Sequence, residues 1–242
     1  MRKWIGLAHK ILVVFISATV AWVLLYRFLP VPYTNLMLQR TFENYSCNPV
    51  SYSWTSYENM NEKIKVCAVA SEDQRFPFHW GVDIASMRSA VFSEGRKNIR
   101  GASTITQQVA KNAFLWPARS YVRKVAELYF TILIESLWTK ERILEVYLNI
   151  AEMGDHIFGV KEASGYFFNK KPSQLILKNA ALIIGTLPNP VKYNAASPGR
   201  YLRKRSEQIS YLYQTLDGPM YLREMYLKTS TSLYDFKKYK QR

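Results

Sequence analysis

The chain has 242 residues, 48% of them hydrophobic, so it can bury a sizeable core in one large domain or two small ones. This composition excludes a disordered chain. Lys and Arg number 33 against 18 Asp and Glu, and the net charge of +15 favours an anionic partner: nucleic acid, an acidic membrane surface or a phosphorylated substrate. Two cysteines without a C-x-x-C pair, and three histidines, give no support for a structural zinc site.

The N-terminal part contains a predicted transmembrane helix at 11–29. Residues 11–25 carry no charge, and their apolar flanks bring the segment to the length that a bilayer requires. More basic residues precede the segment than follow it closely, so the positive-inside rule places residues 1–10 in the cytoplasm and the remaining chain outside. A cleaved signal peptide is the alternative. The residues after Arg27 lack a small-x-small cleavage site and the apolar run is long for a signal, which favours an uncleaved anchor.

The remaining chain is predicted to form one mainly helical domain. Residues 30–63 show no firm hydrophobic period and are expected to connect the span to a domain at 64–216, which a basic tail at 217–242 follows. Helical patterns in the domain cover 82–92, 104–115, 120–138, 140–152, 173–187 and 200–216. The sequence contains no internal repeat and no run of strands, which indicates the α class.

A polar stretch at 101–112 is the most informative part of the sequence. Its helix is expected to begin near Ser103, because Thr104 and Gln107 have the spacing of a capping box. One face of this helix then carries hydroxyl, amide and ammonium groups, from Thr104, Gln108, Lys111 and Asn112. A solvated face normally carries Glu–Lys pairs instead, so this face is typical of a site for an oxygen-rich, anionic ligand. An ordinary capped surface helix is the alternative.

Two segments with carboxylates flank this stretch. The apolar segment 64–70 is expected to be buried and to deliver Glu72 and Asp73 to a site. Glu127 stands among apolar residues, where a carboxylate is costly to bury. Arg123 lies four residues earlier on the same helical face, so a structural ion pair explains Glu127 without a functional role. Alternatively, Arg123, Lys124 and Glu127 together form the edge of a site for an anionic substrate.

Four segments occur in the order and with the residues of known motifs. They are Glu72 to Gly81, Gly101 to Asn112, Arg123-Lys-x-x-Glu127, and Arg142 to Asn149. This series resembles the peptidoglycan glycosyltransferases of family 51 over about residues 66 to 213, and residues 149–155 and 187–190 resemble its monofunctional, membrane-anchored members. The resemblance implies a mainly α fold: a lysozyme-like helical glycosyltransferase domain preceded by a single N-terminal transmembrane helix. It also implies a hydrophobic surface beside the membrane that receives a lipid.

The activity that the resemblance implies is polymerisation of lipid II during cell wall synthesis. The growing glycan on polyprenyl pyrophosphate would be the donor, and the 4-hydroxyl of an incoming lipid II would attack it with inversion to give a β-1,4 linkage. By motif position Glu72 would be the base, and Lys111, Arg123 and Lys124 would face the pyrophosphate. Glu127, the second catalytic carboxylate, would order those cations or a divalent ion.

The resemblance also implies a set of residues that position the substrate or the base. These are Asp73, Phe76, His79, Ser103, Thr104, Gln108 and Asn112. His79 would equally fit a loop histidine whose hydrogen bonds are satisfied within the protein. The resemblance implies no required cofactor and no protein metal site, and it leaves open a divalent cation, Mg²⁺ or Mn²⁺, at the pyrophosphate.

The implied partners are lipid II, the growing glycan and the membrane, and other proteins of cell wall synthesis or division are open as further partners. No nucleic acid is expected, since an outward-facing domain would rarely meet it. The expected location is the bacterial cytoplasmic (inner) membrane, with a single span, a cytoplasmic N-terminus and a periplasmic or extracellular catalytic domain.

Two other functions fit part of the sequence. A membrane-bound lytic enzyme would also use a carboxylate in a sugar-binding cleft, but cleavage of a neutral glycosidic bond needs no cluster of cations. A non-enzymatic adaptor that binds through its net charge of +15 would leave Glu72 and Glu127 without a role.

The two cysteines allow two interpretations. Outside the cytoplasm, Cys47 and Cys67 could close a disulfide loop of about 20 residues. Alternatively, Cys67 is a buried apolar side chain.

Overall fold

The computed structural model describes residues 2–43, 49–84, 103–117 and 120–223. These residues are mainly helical, which confirms the predicted α class. The helices are α1 (Arg2–Phe28), α2 (Asn35–Glu43), α3 (Glu62–Glu72), α4 (Ile105–Phe114), α5 (Tyr121–Leu137), α6 (Lys140–Ile150), α7 (Gly159–Phe168), α8 (Leu177–Gly185) and α9 (Arg200–Thr215). Most of the helix predicted at 82–92 lies outside the described residues.

Helix α1 is long and apolar enough over residues 6–28 to cross a membrane, as its composition predicted. Its second half packs against α5 instead of leaving the domain as a free tether. The Thr19 and Tyr129 hydroxyls share a hydrogen bond of 2.7 Å, and the Trp138 indole donates to the carbonyl of Val23 at 2.9 Å. Side chains of the domain therefore fix the position of this helix.

The C-terminal end of α1 is capped by the domain. Arg142 in α6 donates to the carbonyl of Tyr26 at 2.8 Å and also to the carbonyl of Leu29. The last carbonyls of a helix have no partner within the helix, so the guanidinium satisfies them and its positive charge suits the negative end of the helix dipole. Pro30 follows at once and cannot continue the helix.

The segment that was expected only to connect the span to the domain is built into the domain. Its strand β1 (Ser51–Tyr52) is one edge of a small sheet whose other strands are β2 (Glu152–Gly154) and β3 (Ile157–Phe158). Strand β3 lies in the middle, parallel to β1 and antiparallel to β2. Next to this sheet, the Asn149 side chain accepts from the Thr55 N–H at 2.8 Å and donates to the Thr55 carbonyl at 2.9 Å.

Helix α3 is a buried part of the core. Residues 64–70 are all buried, as predicted, and α3 packs against α6, α8 and α9. Asn61 starts the helix by accepting a hydrogen bond from the Lys63 N–H at 2.9 Å.

Helices α8 and α9 pack closely at Gly185 of α8. A Cβ added at this glycine would lie 2.7 Å from the Leu202 side chain of α9. This glycine therefore lets α9 approach α8 closely.

Two predicted helices have different ends in the structure. Helix α6 stops at Ile150, because strand β2 begins at Glu152 and takes the chain into the sheet. The helix predicted at 173–187 is divided into a 3₁₀ turn at Pro172–Gln174 and helix α8, which begins at Leu177. The division falls at Leu175 and Ile176, whose backbone is extended with ψ of 127° and 162°, so the first turn ends there and a new helix starts.

The chain after α9 turns back onto the domain. Gly218 has a φ of +54°, a left-handed conformation that glycine adopts easily. The helical turn at 219–223 then buries Leu222 in the core. The first residues of the predicted tail are thus part of the domain, and residues 224–242 lie outside the described residues.

Cys67 is a free, fully buried thiol in α3, which fits its interpretation as an apolar side chain. Burial raises the pKa of this thiol to about 12. Cys47 lies outside the described residues, so the disulfide between the two cysteines stays a prediction.

Candidate active site

Glu72 is the last residue of α3 and lies half-buried where the buried part of that helix ends. Gln108 Nε2 of α4 donates to Glu72 Oε2 at 3.2 Å, and the Ser71 hydroxyl donates to Oε1 at 3.0 Å. The Tyr147 hydroxyl is near both carboxylates of this segment. Its pKa is raised well above the usual value, mainly by burial and further by the negative charges of Glu72 and Asp73, so the hydroxyl stays neutral. Glu72 is thus oriented by neutral donors and can accept a proton from a hydroxyl.

Asp73 follows Glu72 and joins two parts of the site. Its carboxylate accepts from the Ile105 N–H at 3.0 Å, at the start of α4, and shares a hydrogen bond of 2.8 Å with His79 Nε2. Unpaired N–H groups and the helix dipole favour a carboxylate at this end of a helix. Asp73 therefore positions α4 and His79. The bond to Asp73 satisfies His79 Nε2, while Nδ1 is buried without a hydrogen-bond partner in the described residues, so the alternative of a histidine fully satisfied within the protein holds for only one of its ring nitrogens.

Helix α4 begins with the capping box that the sequence predicted. The Thr104 hydroxyl accepts from the Gln107 N–H at 3.2 Å, and the Gln107 side chain accepts from the Thr104 N–H at 3.1 Å. The N-cap is Thr104, while Ser103 before it is exposed and Gly101 lies outside the described residues. The Thr104 hydroxyl also donates to the carbonyl of Gly81 at 2.6 Å. Because it is buried and engaged, Thr104 supports the site from within in this structure.

The polar face of α4 is accessible beyond its first residue. Lys111 is exposed, and Gln108 and Asn112 are half-buried, so these side chains can meet a ligand beside Glu72. Phe76 differs from them, because it is fully buried beneath the turn that follows α3. In this structure Phe76 supports the turn and does not face the space above α4.

Glu127 in α5 is 4% exposed and holds two cations from the preceding turn. Arg123 Nη1 lies 3.1 Å from its Oε2, and Lys124 Nζ lies 2.5 Å from its Oε1. The ion pair considered as a structural explanation of Glu127 is therefore present. It does not use up the cationic charge, because two cations face one carboxylate and the Lys124 side chain is 53% exposed. This cationic cluster can attract an anion such as a pyrophosphate.

A second carboxylate in α5, Glu135, holds a buried network that the sequence analysis did not identify. Glu135 accepts from the Thr106 hydroxyl at 2.5 Å and from Lys140 Nζ at 2.8 Å. Lys140 also donates to the carbonyl of His79 at 2.7 Å, and its ammonium lies 4.6 Å from the ring centroid of Phe76. Burial lowers the pKa of Lys140, and Glu135 opposes this shift. The available signal was the same as for Glu127: a carboxylate within an apolar helical stretch.

Within the described ranges, no group of three or more His, Cys, Asp or Glu side chains could hold a metal ion. Each oxygen of Glu127 already faces a cation, so a divalent ion bound there would have to displace Arg123 or Lys124. The residues present thus fit a carboxylate that orders two cationic side chains better than they fit a resident metal.

The fold and the site together define a class of protein. It is a helical domain on one apolar helix, with a carboxylate held by neutral donors and a cationic cluster on a neighbouring helix, the groups that an enzyme acting on an anionic substrate beside a membrane can use.

Comparison with known proteins identifies the family. Residues 39–214 match the family model described as transglycosylase. Relatives named biosynthetic peptidoglycan transglycosylase match most of the chain. The relative from Pseudomonas putida is 43% identical over 90% of this chain and 94% of its own length. The relative from Cronobacter sakazakii is 41% identical over 92% of this chain and 94% of its own length. The relative from Bacteroides thetaiotaomicron is 43% identical over 86% of this chain and 86% of its own length.

The chain therefore belongs to the transglycosylase family and is a glycosyltransferase. This result confirms the family and the enzyme class that the four sequence motifs predicted. The family match begins at residue 39, within α2, which agrees with the packing of β1 into the domain.

Proposed function

We propose that the chain polymerises lipid II into the glycan strands of peptidoglycan at the bacterial cytoplasmic membrane. The observation that carries the proposal is the separation of two kinds of group on neighbouring helices. Glu72 lies beside the polar face of α4, and the cationic cluster around Glu127 lies on α5, which packs against α4. A transfer reaction with a pyrophosphate leaving group needs a base at one end and positive charge at the other.

The proposed reaction uses both kinds of group. Glu72 takes the proton from the 4-hydroxyl of the N-acetylglucosamine of lipid II, and the oxygen attacks the anomeric carbon of the donor glycan. The bond from that carbon to the pyrophosphate breaks as the new bond forms, so an α-linked donor gives a β-1,4 product without a covalent enzyme intermediate. Lys111, Arg123 and Lys124 stabilise the charge that grows on the pyrophosphate, and Glu127 holds the last two in place.

An apolar surface on α5 supports a lipid-linked substrate. Five apolar side chains there are between 44% and 94% exposed: Tyr121, Val122, Val125, Leu128 and Ile132. Because α5 also packs against α1, this surface would lie in the same membrane as the span. A polyprenyl chain could then remain in the bilayer while its pyrophosphate meets the cationic cluster. The positive-inside rule adds the orientation, with residues 1–10 in the cytoplasm and the domain outside.

The proposed reaction needs no cofactor from the protein, because Glu72 and the cationic side chains supply the proton transfer and the charge stabilisation. A divalent cation, Mg²⁺ or Mn²⁺, would bind to the pyrophosphate oxygens of the substrate and supply further positive charge there. Other proteins of cell wall synthesis or division are proposed as partners at the membrane.

The test uses purified full-length protein with labelled lipid II in detergent. Wild-type protein should convert lipid II into a glycan that a muramidase digests, and Glu72→Gln should lose this conversion while it remains folded. Glu207→Gln, at an exposed carboxylate of α9, is the matched control and should polymerise normally. A lytic enzyme would leave lipid II intact and release fragments from purified cell walls, and an adaptor would do neither.

A further inference from the structure

The C-terminal part of the chain contacts both residues that flank Glu72 and Asp73. On one side, Arg205 Nη2 of α9 donates to the Ser71 hydroxyl at 2.9 Å and to the Ser71 carbonyl at 3.3 Å. On the other side, the Tyr221 hydroxyl donates to the carbonyl of Gln74. The segment 71–74 is thus held at both ends by residues more than one hundred positions away.

The contact of Arg205 reaches the carboxylate of Glu72 through one hydroxyl. A serine hydroxyl has one donor and two acceptor positions. The Ser71 oxygen accepts from Arg205 and gives its own hydrogen to Glu72 Oε1 at 3.0 Å. Arg205 therefore sets the direction in which the Ser71 hydroxyl points, and its positive charge strengthens that donor.

In the described residues, the hydrogen bonds of the Arg205 guanidinium both go to Ser71, through Nη2. Leu202 and Ile209, three positions before and four positions after it, are both buried, so Arg205 lies on the face of α9 that packs against the core. No ion pair joins Arg205 to a carboxylate in the described part of the chain. Its aliphatic stem passes beside Gly185, where a Cβ would lie 3.7 Å from Arg205 Cγ. The guanidinium is thereby directed to Ser71.

The contact of Tyr221 depends on the turn that follows α9. Gly218 reverses the chain, and buried Leu222 anchors the helical turn that carries Tyr221. The ring of Tyr221 meets the ring of Phe78 edge to face, with centroids 6.0 Å apart. Tyr221 thus contacts the turn after Glu72 through its hydroxyl, at Gln74, and through its ring, at Phe78.

We infer that Arg205 and Tyr221 are positioning residues that hold Glu72 in its reactive orientation, Arg205 through Ser71 and Tyr221 through Gln74. The inference rests on the proposed role of Glu72 as the base. In this inference both residues act through hydrogen bonds to the segment 71–74 and not through contact with the substrate. Misplacement of a reacting group by about 1 Å costs on the order of 100-fold in rate, so contacts of this kind are visible in turnover.

The test measures kcat and KM for lipid II, and the melting temperature, with the full-length enzyme. Arg205→Met should lower kcat by about 10- to 100-fold with little change in KM. Arg205→Lys should restore part of kcat, because an ammonium can still donate to Ser71. Arg203→Met is the matched control: Arg203 lies in the same helix, is exposed and bonds to the carbonyl of Pro198, and its loss should leave kcat unchanged.

Two further comparisons separate a positioning role from a structural one. In the background of Ser71→Ala, Arg205→Met should cost less kcat than it does alone, because both changes break the same chain of hydrogen bonds. Tyr221→Phe should lower kcat by about 2- to 5-fold, since one hydrogen bond is lost while the ring contact stays. Tyr211→Phe is its control, at an exposed tyrosine of α9.

Each outcome decides the inference. An unchanged kcat for Arg205→Met overturns the role of Arg205, and an unchanged kcat for Tyr221→Phe overturns that of Tyr221. A loss of kcat that follows the melting temperature, or one that is fully additive with Ser71→Ala, also overturns it. If Arg205→Met does not fold, Arg205→Lys and Ser71→Ala provide the same readouts. Near-normal turnover of Glu72→Gln would instead reject the proposed base itself, independently of these variants.

Discussion

Glu72 and Glu127 are both carboxylates beside apolar helical residues, but the protein holds them in opposite ways. Glu72 is half-buried and receives hydrogen bonds from a neutral amide and a neutral hydroxyl. Glu127 is almost fully buried and receives its hydrogen bonds from two cations. The first arrangement orients a negative charge without neutralising it, and the second neutralises the charge.

This difference separates what the two groups can do. A carboxylate held by neutral donors can take a proton without breaking an ion pair. A carboxylate paired with a guanidinium and an ammonium would have to lose those pairs first, which is costly in a buried position. The comparison therefore supports the proposed division, with proton abstraction by Glu72 and the ordering of cations by Glu127. The predictions below test this division, from the largest expected effect to the smallest.

The largest effect is expected for Glu72→Gln. The substitution keeps the shape of the side chain and removes the proton acceptor, so turnover of lipid II should fall by about 100-fold or more. The melting temperature should change little, because no ion pair is lost. Turnover and thermal unfolding are measured on the same preparation. Turnover close to that of the wild type would show that another group is the base.

The next effect concerns the cations Lys111 and Arg123, which lie on different helices. Lys111→Met and Arg123→Gln each remove charge that the leaving pyrophosphate needs, so each should lower kcat by about tenfold or more, with a smaller change in KM. The double variant should lose less than the product of the single losses, because the cations act on one group. Lys178→Met, at an exposed lysine of α8, serves as the control.

A different result is expected if Lys111 and Arg123 do not share a pyrophosphate site. If Arg123 serves only to neutralise Glu127, Arg123→Gln should lower the melting temperature and Lys111→Met should do little. Additive losses that track stability would reject a shared pyrophosphate site.

A smaller effect, on stability, is expected for Glu127→Gln. The change leaves Arg123 and Lys124 without their counter-charge, and Arg123 is only 14% exposed, so the free energy of unfolding should fall by about 2 kcal/mol. Glu43→Gln breaks the exposed pair with Arg40 and should change stability little. Chemical denaturation measures both variants. Equal stability of Glu127→Gln and the wild type would contradict the cation-ordering role.

Local patterns in the sequence predicted several parts of the structure and its site. The span follows from an uninterrupted apolar run, and the start of α4 follows from Thr104 and Gln107, whose spacing is confined to one helical turn. The burial of residues 64–70, which delivers Glu72, follows from their apolar character. In each case the signal lies within the element that it predicts.

The features that were not predicted depend on contacts between distant parts of the chain. Strands β1 and β3 pair only two residues each, too few to show a period of two. Arg205 and Ser71 are 134 positions apart, and neither is unusual in its own segment. The apolar surroundings of Glu135 mark it as a buried carboxylate, but its partners Thr106 and Lys140 are not marked in their own segments. Tertiary contacts of this kind leave no periodic signal in one sequence.

The smallest expected effect concerns two positions in α3, the half-buried carboxylate of Glu72 at its end and the buried thiol of Cys67 in its middle. Because burial raises the pKa of Cys67 to about 12, this thiol should stay protonated and unreactive toward iodoacetamide at pH 8 in the folded protein. Denatured, unreduced protein separates the two alternatives for the cysteines, because two reactive thiols would exclude a disulfide between Cys47 and Cys67. Detection of no thiols after denaturation would establish the disulfide with Cys47, which would contribute about 3 kcal/mol to stability by loop closure. Rapid labelling of Cys67 in the folded protein would show that α3 opens, and the buried support of Glu72 would then be weaker than its contacts indicate.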